Sequence, residues 1–343
     1  MDAARPSRRK KLLALALALM LALVVGELVA RAVFGAPMAE RLPLMFMRAH
    51  PTRGWQMVPG QDHFTYTHAV RVNALGLRGP ELGAKEPGER RVLFLGDSLT
   101  YGQGVAEEDT VPGALERELA ARTGTKWTVV NAGHRAYDTP QELALLEELG
   151  EEIQPDVVLL GWYWNDVNER PIQTTFENLT AKGKIAFDTG DTVTGLDLLA
   201  WRAKQLVRSS ALVMVVHDAF SSKGKPYEPD YFEKGLQRLG RYLERLRARA
   251  EKLGAVPVFV QFPDPARLSG PGATGPYDER ALGLARERSV PVVELLPALR
   301  PLYEARGHAP TLPFDGHYDG EANRAMAAHL ASELLALDSL RAR

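Results

Sequence analysis

Four short stretches of the 343-residue chain carry side chains from which acyl-transfer chemistry could be assembled. Leu95-Gly96-Asp97-Ser98-Leu99-Thr100-Tyr101-Gly102 offers a hydroxyl, and Val130-Asn131-Ala132-Gly133 offers a backbone amide with no side chain over it. Gly161-Trp162-Tyr163-Trp164-Asn165-Asp166 adds a side-chain amide, and Phe314-Asp315-Gly316-His317-Tyr318-Asp319 an imidazole with an acid two residues before it. A serine hydroxyl is a poor nucleophile until a base takes its proton, and imidazole, with a pKa of about 6.5, does so at neutral pH. A carboxylate on the other ring nitrogen selects the tautomer and stabilises the imidazolium. Negative charge then develops on the carbonyl oxygen, and fixed donors must already point at it; losing one costs on the order of 10²–10³ in rate. Glycine at 133 suits close approach of backbone to a substrate. Taken alone, Ser98 reads more readily as a helix cap.

The elements that would hold these residues show in the rhythm of the chain. Arg91–Leu95, Trp127–Asn131, Val157–Gly161, Val256–Phe262 and Val290–Glu294 are short, β-branched and apolar on both faces, which predicts parallel strands buried between helices. The serine block ends the first strand, the Asn-Ala-Gly block ends the second, and the Asn-Asp block follows the third. A serine directly after a buried parallel strand sits at the sheet's carboxyl edge, where open α/β folds bind ligands. Thr139-Pro140-Gln141-Glu142 offers an N-cap, a proline at N1 and a capping-box glutamate. Leu236, Leu239, Leu243 and Leu246 share one face of a long helix that Gly254 would end. Alternating β and α elements predict an α/β three-layer sandwich on a five-stranded parallel sheet.

In this order, the four blocks resemble the SGNH (GDSL-type) hydrolase superfamily, over roughly residues 90–337. The resemblance implies an SGNH-hydrolase, flavodoxin-like fold, with Ser98 as nucleophile, His317 as general base and Asp315 as the acid that orients it. It further implies an oxyanion hole made of the Ser98 N–H, the Gly133 N–H and the Asn165 side-chain amide, with no cofactor and no metal. Two departures stand out. The family spaces its acid three residues before the histidine, whereas Asp315 lies two before His317, a shorter form similar to that of some polysaccharide O-acetyltransferase relatives. The glycine common five residues after the histidine is Ala322 here, at a position expected on a helix. The function implied is a serine-dependent ester hydrolase working through an acyl-enzyme on small acyl esters of cell-envelope glycans or lipids. A polysaccharide O-acyltransferase would use the same site. A non-catalytic envelope protein that kept the fold is the third reading, against which the intact Ser, Gly, Asn and His set stands.

Neighbouring residues have plainer readings. His134 reads as a solvent-facing loop histidine, Asp97 as a brace for the serine turn, Asp166 as a support for its loop, and Trp162 and Trp164 as core. His50, His63, His68, His217, His308 and His329 show no ligand spacing. Gly102-Gln103-Gly104 is too short for a nucleotide loop.

The amino-terminal end is a different material. Arg5, Arg8, Arg9, Lys10 and Lys11 precede an apolar stretch, Leu12–Ala30, broken only by Gly26 and Glu27. As a helix it would span roughly 28 Å, close to a hydrocarbon core. An uncleaved signal anchor, with the cationic flank cytoplasmic and the remainder extracytoplasmic, is the first reading. A signal cleaved at Ala30-Arg31-Ala32 and a buried core helix are the others. The expected organisation is a basic stub and anchor (1–34), a lead-in segment (35–89) packing on the main domain, the hydrolase-like domain (90–337) and a short tail (338–343). Within that domain, residues 169–231 form an insertion with a helix near Leu196–His217, read either as a lid or as a spacer loop. Hydrophobic residues at 45% and charged residues at 25% exclude a disordered chain. With 42 basic against 43 acidic side chains, nothing favours nucleic acid, and zero cysteines exclude disulfides and thiolate chemistry.

Overall fold

The computed structural model describes residues 7–167, 172–173, 175–177, 185–186, 195–220, 229–272 and 274–341. Arg5, parts of the 169–231 insertion including its Ser-Ser-Lys-Gly-Lys-Pro sequence, and the last two residues lie outside the described residues. The chain groups into two compact units.

The larger unit opens with two antiparallel pairs, β1 (Phe46–His50) with β2 (Gly54–Met57) and β3 (Asp62–Thr65) with β4 (His68–Arg71). Five parallel strands follow: β5 (Arg90–Gly96), β6 (Trp127–Gly133), β7 (Val157–Trp162), β9 (Val256–Gln261) and β10 (Val292–Glu294). A two-residue β8 (Ile185–Ala186) pairs with β1. The parallel sheet has the order β10-β9-β7-β5-β6. The chain therefore turns back on itself between β5 and β7, the switch point outside which doubly wound sheets bind ligands. The sheet is apolar on both faces because its strands alternate between two cores. Leu93, Leu95, Val158 and Leu160 enter one, with Leu236, Leu239, Leu243 and Leu246 of the helix Pro229–Lys252. Val92, Phe94, Val157 and Leu159 enter the other, with Leu115, Leu119, Met326 and Leu330 of the helices Val111–Thr123 and Gly320–Ala336.

Three local expectations shift. The last strand starts at Val292 rather than Val290, because the Val290 N–H still bonds to Ala285 O at the end of the preceding helix. The helix Thr139–Ile153 is capped by Asp138, whose N–H donates to Gln141 Oε1 at 3.1 Å. Gln141 thereby takes the N3 place, and Glu142 turns into the interior. The single helix expected near Leu196–His217 is two, Gly195–Arg208 and Ala211–Phe220. Ser210 breaks it, its Oγ accepting from the Val213 N–H at 3.2 Å.

Residues 40–89 are more ordered than their composition suggests, and they bond heavily to the loop after β6. Met57 N–H donates to His134 Nε2 at 2.8 Å, Tyr137 Oη–H to Trp55 O at 2.5 Å and Gln141 Nε2–H to Arg53 O at 2.7 Å. Arg78 bridges to Asn131 on β6, covering part of an otherwise open sheet edge.

The smaller unit contains the apolar helix Arg8–Phe34, with a stretch of mean hydropathy 2.7 in which no residue is buried, and the helices Gly195–Arg208 and Ala211–Phe220.

His134 is buried, not solvent-facing: its ring stacks on Tyr137 at 4.1 Å and its Nε2 must stay unprotonated to accept from Met57. Burial lowers its pKa to about 3, and does the same to His63, against about 6.5 in an unfolded chain. The unfolded chain therefore takes up protons that the fold refuses, and both rings lose stability as pH falls from about 6.5 toward 3. His134→Gln should flatten the fall of unfolding free energy between pH 6 and 4 by about 1.4 kcal/mol per pH unit, read from urea titrations of the detergent-solubilised chain. An unaltered slope would mean that the folded ring carries a proton.

Candidate active site

Ser98 is the first residue of a four-residue helix, Ser98–Tyr101, that follows β5 at the switch point. This short helix lies almost in contact with the ends of three strands. A Cβ on Gly96 would fall 2.1 Å from Thr100 Oγ1, one on Gly161 2.6 Å from the same atom, and one on Gly133 2.1 Å from Tyr101 N. Glycine closes β5 and β6 and lies within β7 because any larger residue would push the serine helix off the sheet. For Gly133 the close neighbour is the backbone of Tyr101, a reason for glycine that the sequence reading, with its eye on substrate, missed.

The other side of the helix is held by polar groups. Asp97 caps it, accepting from the Leu99 N–H at 2.8 Å, as expected of a brace. At the far end Arg78, fully buried, donates to Tyr101 O at 2.9 Å, to Gly102 O at 2.7 Å and to Val105 O at 2.9 Å. Its Nε completes the set with Glu107 at 2.7 Å. A guanidinium at the carbonyl end of a helix satisfies groups that have no intrahelical partner. Asn131 Nδ2 adds a longer bond to Tyr101 O, at 3.3 Å.

His317 reaches this helix from 219 residues away, its Nε2 lying 2.8 Å from Ser98 Oγ. The loop that carries it is pinned on both sides. Leu312 N–H donates to His317 O at 2.7 Å, Tyr318 Oη–H donates to Pro263 O at 2.7 Å, and Asp319 caps the helix Gly320–Ala336 through the Ala322 N–H. Ala322 is a buried helical residue. Asp315 is half-buried in the turn just before, between Phe314 at φ 60° and Gly316 at φ 89°.

The two expected oxyanion donors beyond Ser98 are differently placed. Asn165, on the 3₁₀ turn Trp164–Val167, gives its side chain to the Asp97 carboxylate, while its Oδ1 is buried without a partner. The Gly133 N–H is already committed to Asn131 Oδ1 at 3.1 Å.

Behind these groups lies a buried set of acids. Burial raises the pKa of Asp97, and it raises those of Glu142 and Asp166 well above the ordinary carboxylate range, with the other carboxylates of the set adding to the rise. Both oxygens of Glu142 lack a partner, and Asp166 accepts from the Tyr163 N–H at 2.8 Å, steadying its loop. The low dielectric disfavours the charged form of Glu142 and Asp166. Trp162 is core, and Trp164 packs against its margin. Sequence reasoning missed Arg78, which lies in the lead-in segment, and Glu142, whose place after Thr139-Pro140 looked like a cap.

Residues 94–330 match the model of the GDSL-like lipase/acylhydrolase family, and the chain belongs to that family. It is an ester-bond hydrolase by membership. Among curated proteins none matches. Among solved structures it is similar to a lipolytic protein of the G-D-S-L family from Desulfitobacterium hafniense, at 14% identity and a TM-score of 0.41, covering 71% of this chain and 98% of that one. It is likewise similar to TesA, at 16% and 0.43 over 71% and 98%, and to a lipase/acylhydrolase from Enterococcus faecalis, at 14% and 0.42 over 71% and 95%.

If Arg78 seats the serine helix, Arg78→Met should lower kcat for p-nitrophenyl acetate by about 10²-fold, the cost of a misplacement near 1 Å. Thermal melts should show destabilisation of about 3 kcal/mol, and Arg78→Lys should recover part of both. An unchanged kcat would leave the glycine contacts as the whole seat.

Proposed function

We propose that Ser98 is the nucleophile of a serine esterase with His317 as its general base. The observation that carries this reading is the 2.8 Å approach of His317 Nε2 to Ser98 Oγ, between blocks that the fold brings together at the sheet's carboxyl edge. Ser98 Oγ attacks the acyl carbonyl while its proton passes to Nε2. The tetrahedral oxyanion is met by the Ser98 N–H, at the open start of its helix, and by the second N–H of the Asn165 amide, the first being held by Asp97. Collapse expels the alcohol with the proton from His317 and leaves an acyl-Ser98. Water, deprotonated by His317, then releases the acid. Asp315 orients His317 in this scheme, a role supported by its place two residues before the histidine. The Gly133 N–H joins as a third donor only once Asn131 Oδ1 lets it go.

Fixed dipoles in a water-poor site stabilise developing charge far better than bulk water does. Burial that disfavours the charged forms of Glu142 and Asp166 fits that picture, since ionised carboxylates behind the hole would oppose an oxyanion. The substrates we infer are small acyl esters on cell-envelope glycans or lipids, reached by an extracytoplasmic domain tethered through the apolar helix Arg8–Phe34. The shorter Asp315-x-His317 spacing favours one second reading, transfer of the acyl group to a sugar hydroxyl in place of water.

Ser98→Ala should abolish p-nitrophenyl acetate turnover while leaving the melting temperature within a few degrees of the parent, because a single hydroxyl contributes little to stability. Turnover of the parent should proceed without added oligosaccharide. Turnover that requires an oligosaccharide acceptor would make the chain a transferase, and retained activity in the variant would remove Ser98 as nucleophile.

A further inference from the structure

We propose that the helices Gly195–Arg208 and Ala211–Phe220 form a second membrane contact, seated in the lipid interface beside the far end of the apolar N-terminal helix. The inference rests on the reading of Arg8–Phe34 as a membrane span.

The helix Gly195–Arg208 is amphipathic with its apolar stripe outward. Leu196, Leu199, Ala200, Ala203, Leu206 and Val207 recur at helical spacing, and all are exposed, Leu196 at 83% and Leu206 at 75%. The opposite side, through Leu198, Trp201 and Gln205, is the one that packs inward. A water-soluble domain orients such a helix the other way. The next helix continues the pattern: Val213, Val216 and Phe220 are exposed, Phe220 at 86%. Contiguous exposed apolar surface of this kind marks an interaction face.

What covers that face is indicated by where the pair is fastened. Glu27 is the one acidic residue inside the apolar stretch, and it caps the start of the helix Ala211–Phe220. It accepts from Ser210 Oγ at 2.7 Å, from the Ala211 N–H at 3.1 Å and from the Leu212 N–H at 3.0 Å. Arg31 completes the junction, with its Nε 2.6 Å from Glu27 and its Nη2 donating to Ser209 O at 2.5 Å. Gly26 admits Leu212 beside it, for a Cβ there would lie 3.2 Å from Leu212 Cδ2. Glu27 stands 16 residues after Lys11, about 24 Å along the helix, against a hydrocarbon core of about 30 Å. The junction therefore falls at the far interface, and the outward leucines meet lipid that already surrounds the span. Arg202, Lys204 and Arg208, all exposed, flank the stripe where cationic side chains reach headgroups. Asp197, Asp218 and His217 are also exposed, the last two paired with each other at 3.2 Å, and an interface tolerates them where a bilayer centre would not.

The chain has no cysteine, so single sites can be labelled. Leu19→Cys, Leu206→Cys, Phe220→Cys and, on an exposed helix of the larger unit, Glu304→Cys would each carry an environment-sensitive fluorophore in the full chain, reconstituted in phosphatidylcholine vesicles. Lipids bearing a nitroxide at a shallow or a deep acyl position supply the quencher. We expect the labels at 206 and 220 to lose emission mainly to the shallow nitroxide, the label at 19 mainly to the deep one, and the label at 304 to neither. Labels at 206 and 220 that resemble 304, with 19 quenched, would overturn the second contact and leave the span intact. Blue-shifted labels at 206 and 220 that no lipid quenches would mean a protein surface, such as a second copy, covers the stripe, and would equally overturn it. An unquenched label at 19 would overturn both.

Discussion

Everything at the candidate site depends on how closely one short helix can approach the end of a parallel sheet. Ser98–Tyr101 is seated against Gly96, Gly133 and Gly161 at distances that no Cβ could share. That seat sets the direction of Ser98 Oγ and opens the Ser98 N–H at the helix start. It also places both where a loop from the chain's far end can bring His317. A sheet that switches direction between its first and third strands leaves a crevice at this spot, and the glycines let the nucleophile occupy its floor.

The seat is completed by polar groups with no water to fall back on. Arg78 supplies three bonds to carbonyls that the short helix cannot satisfy itself, and it comes from a segment that precedes the family's matched region. Asp97 ties two parts of the site into one, since the same carboxylate caps the serine helix and holds the Asn165 amide. Buried polar networks of this kind are rigid when satisfied and costly when not. The buried, unpartnered oxygens of Glu142 are the costly part of that network, and burial raises the carboxyl's pKa, disfavouring the charge that would cost most there.

Much of the fold was legible because its strands have to be apolar on both faces, and runs such as Val157–Gly161 announce that demand in five residues. The four site blocks were legible because each ends such a run or begins a helix. What stayed hidden was everything decided by contacts between distant segments. Arg78 looks like any surface arginine in a Gly- and Pro-rich stretch, and only the fold wraps it around the end of the serine helix. His134 is polar and follows a glycine, so its burial under Met57 and Tyr137 could not be read locally. Gly133 was identified correctly as special but for an incomplete reason, because its neighbour is backbone 32 residues earlier in the chain. Glu27 shows in the sequence only as a break in an apolar stretch, and its partner is the start of a helix more than 180 residues away.

The most direct measurement is to treat the intact chain with a fluorophosphonate and map the adduct by peptide mass spectrometry. Expected is one adduct, on the peptide carrying Ser98, formed at a rate that collapses in His317→Ala. An adduct on a different serine, or undiminished labelling without the imidazole, would contradict the pairing on which the proposed chemistry stands.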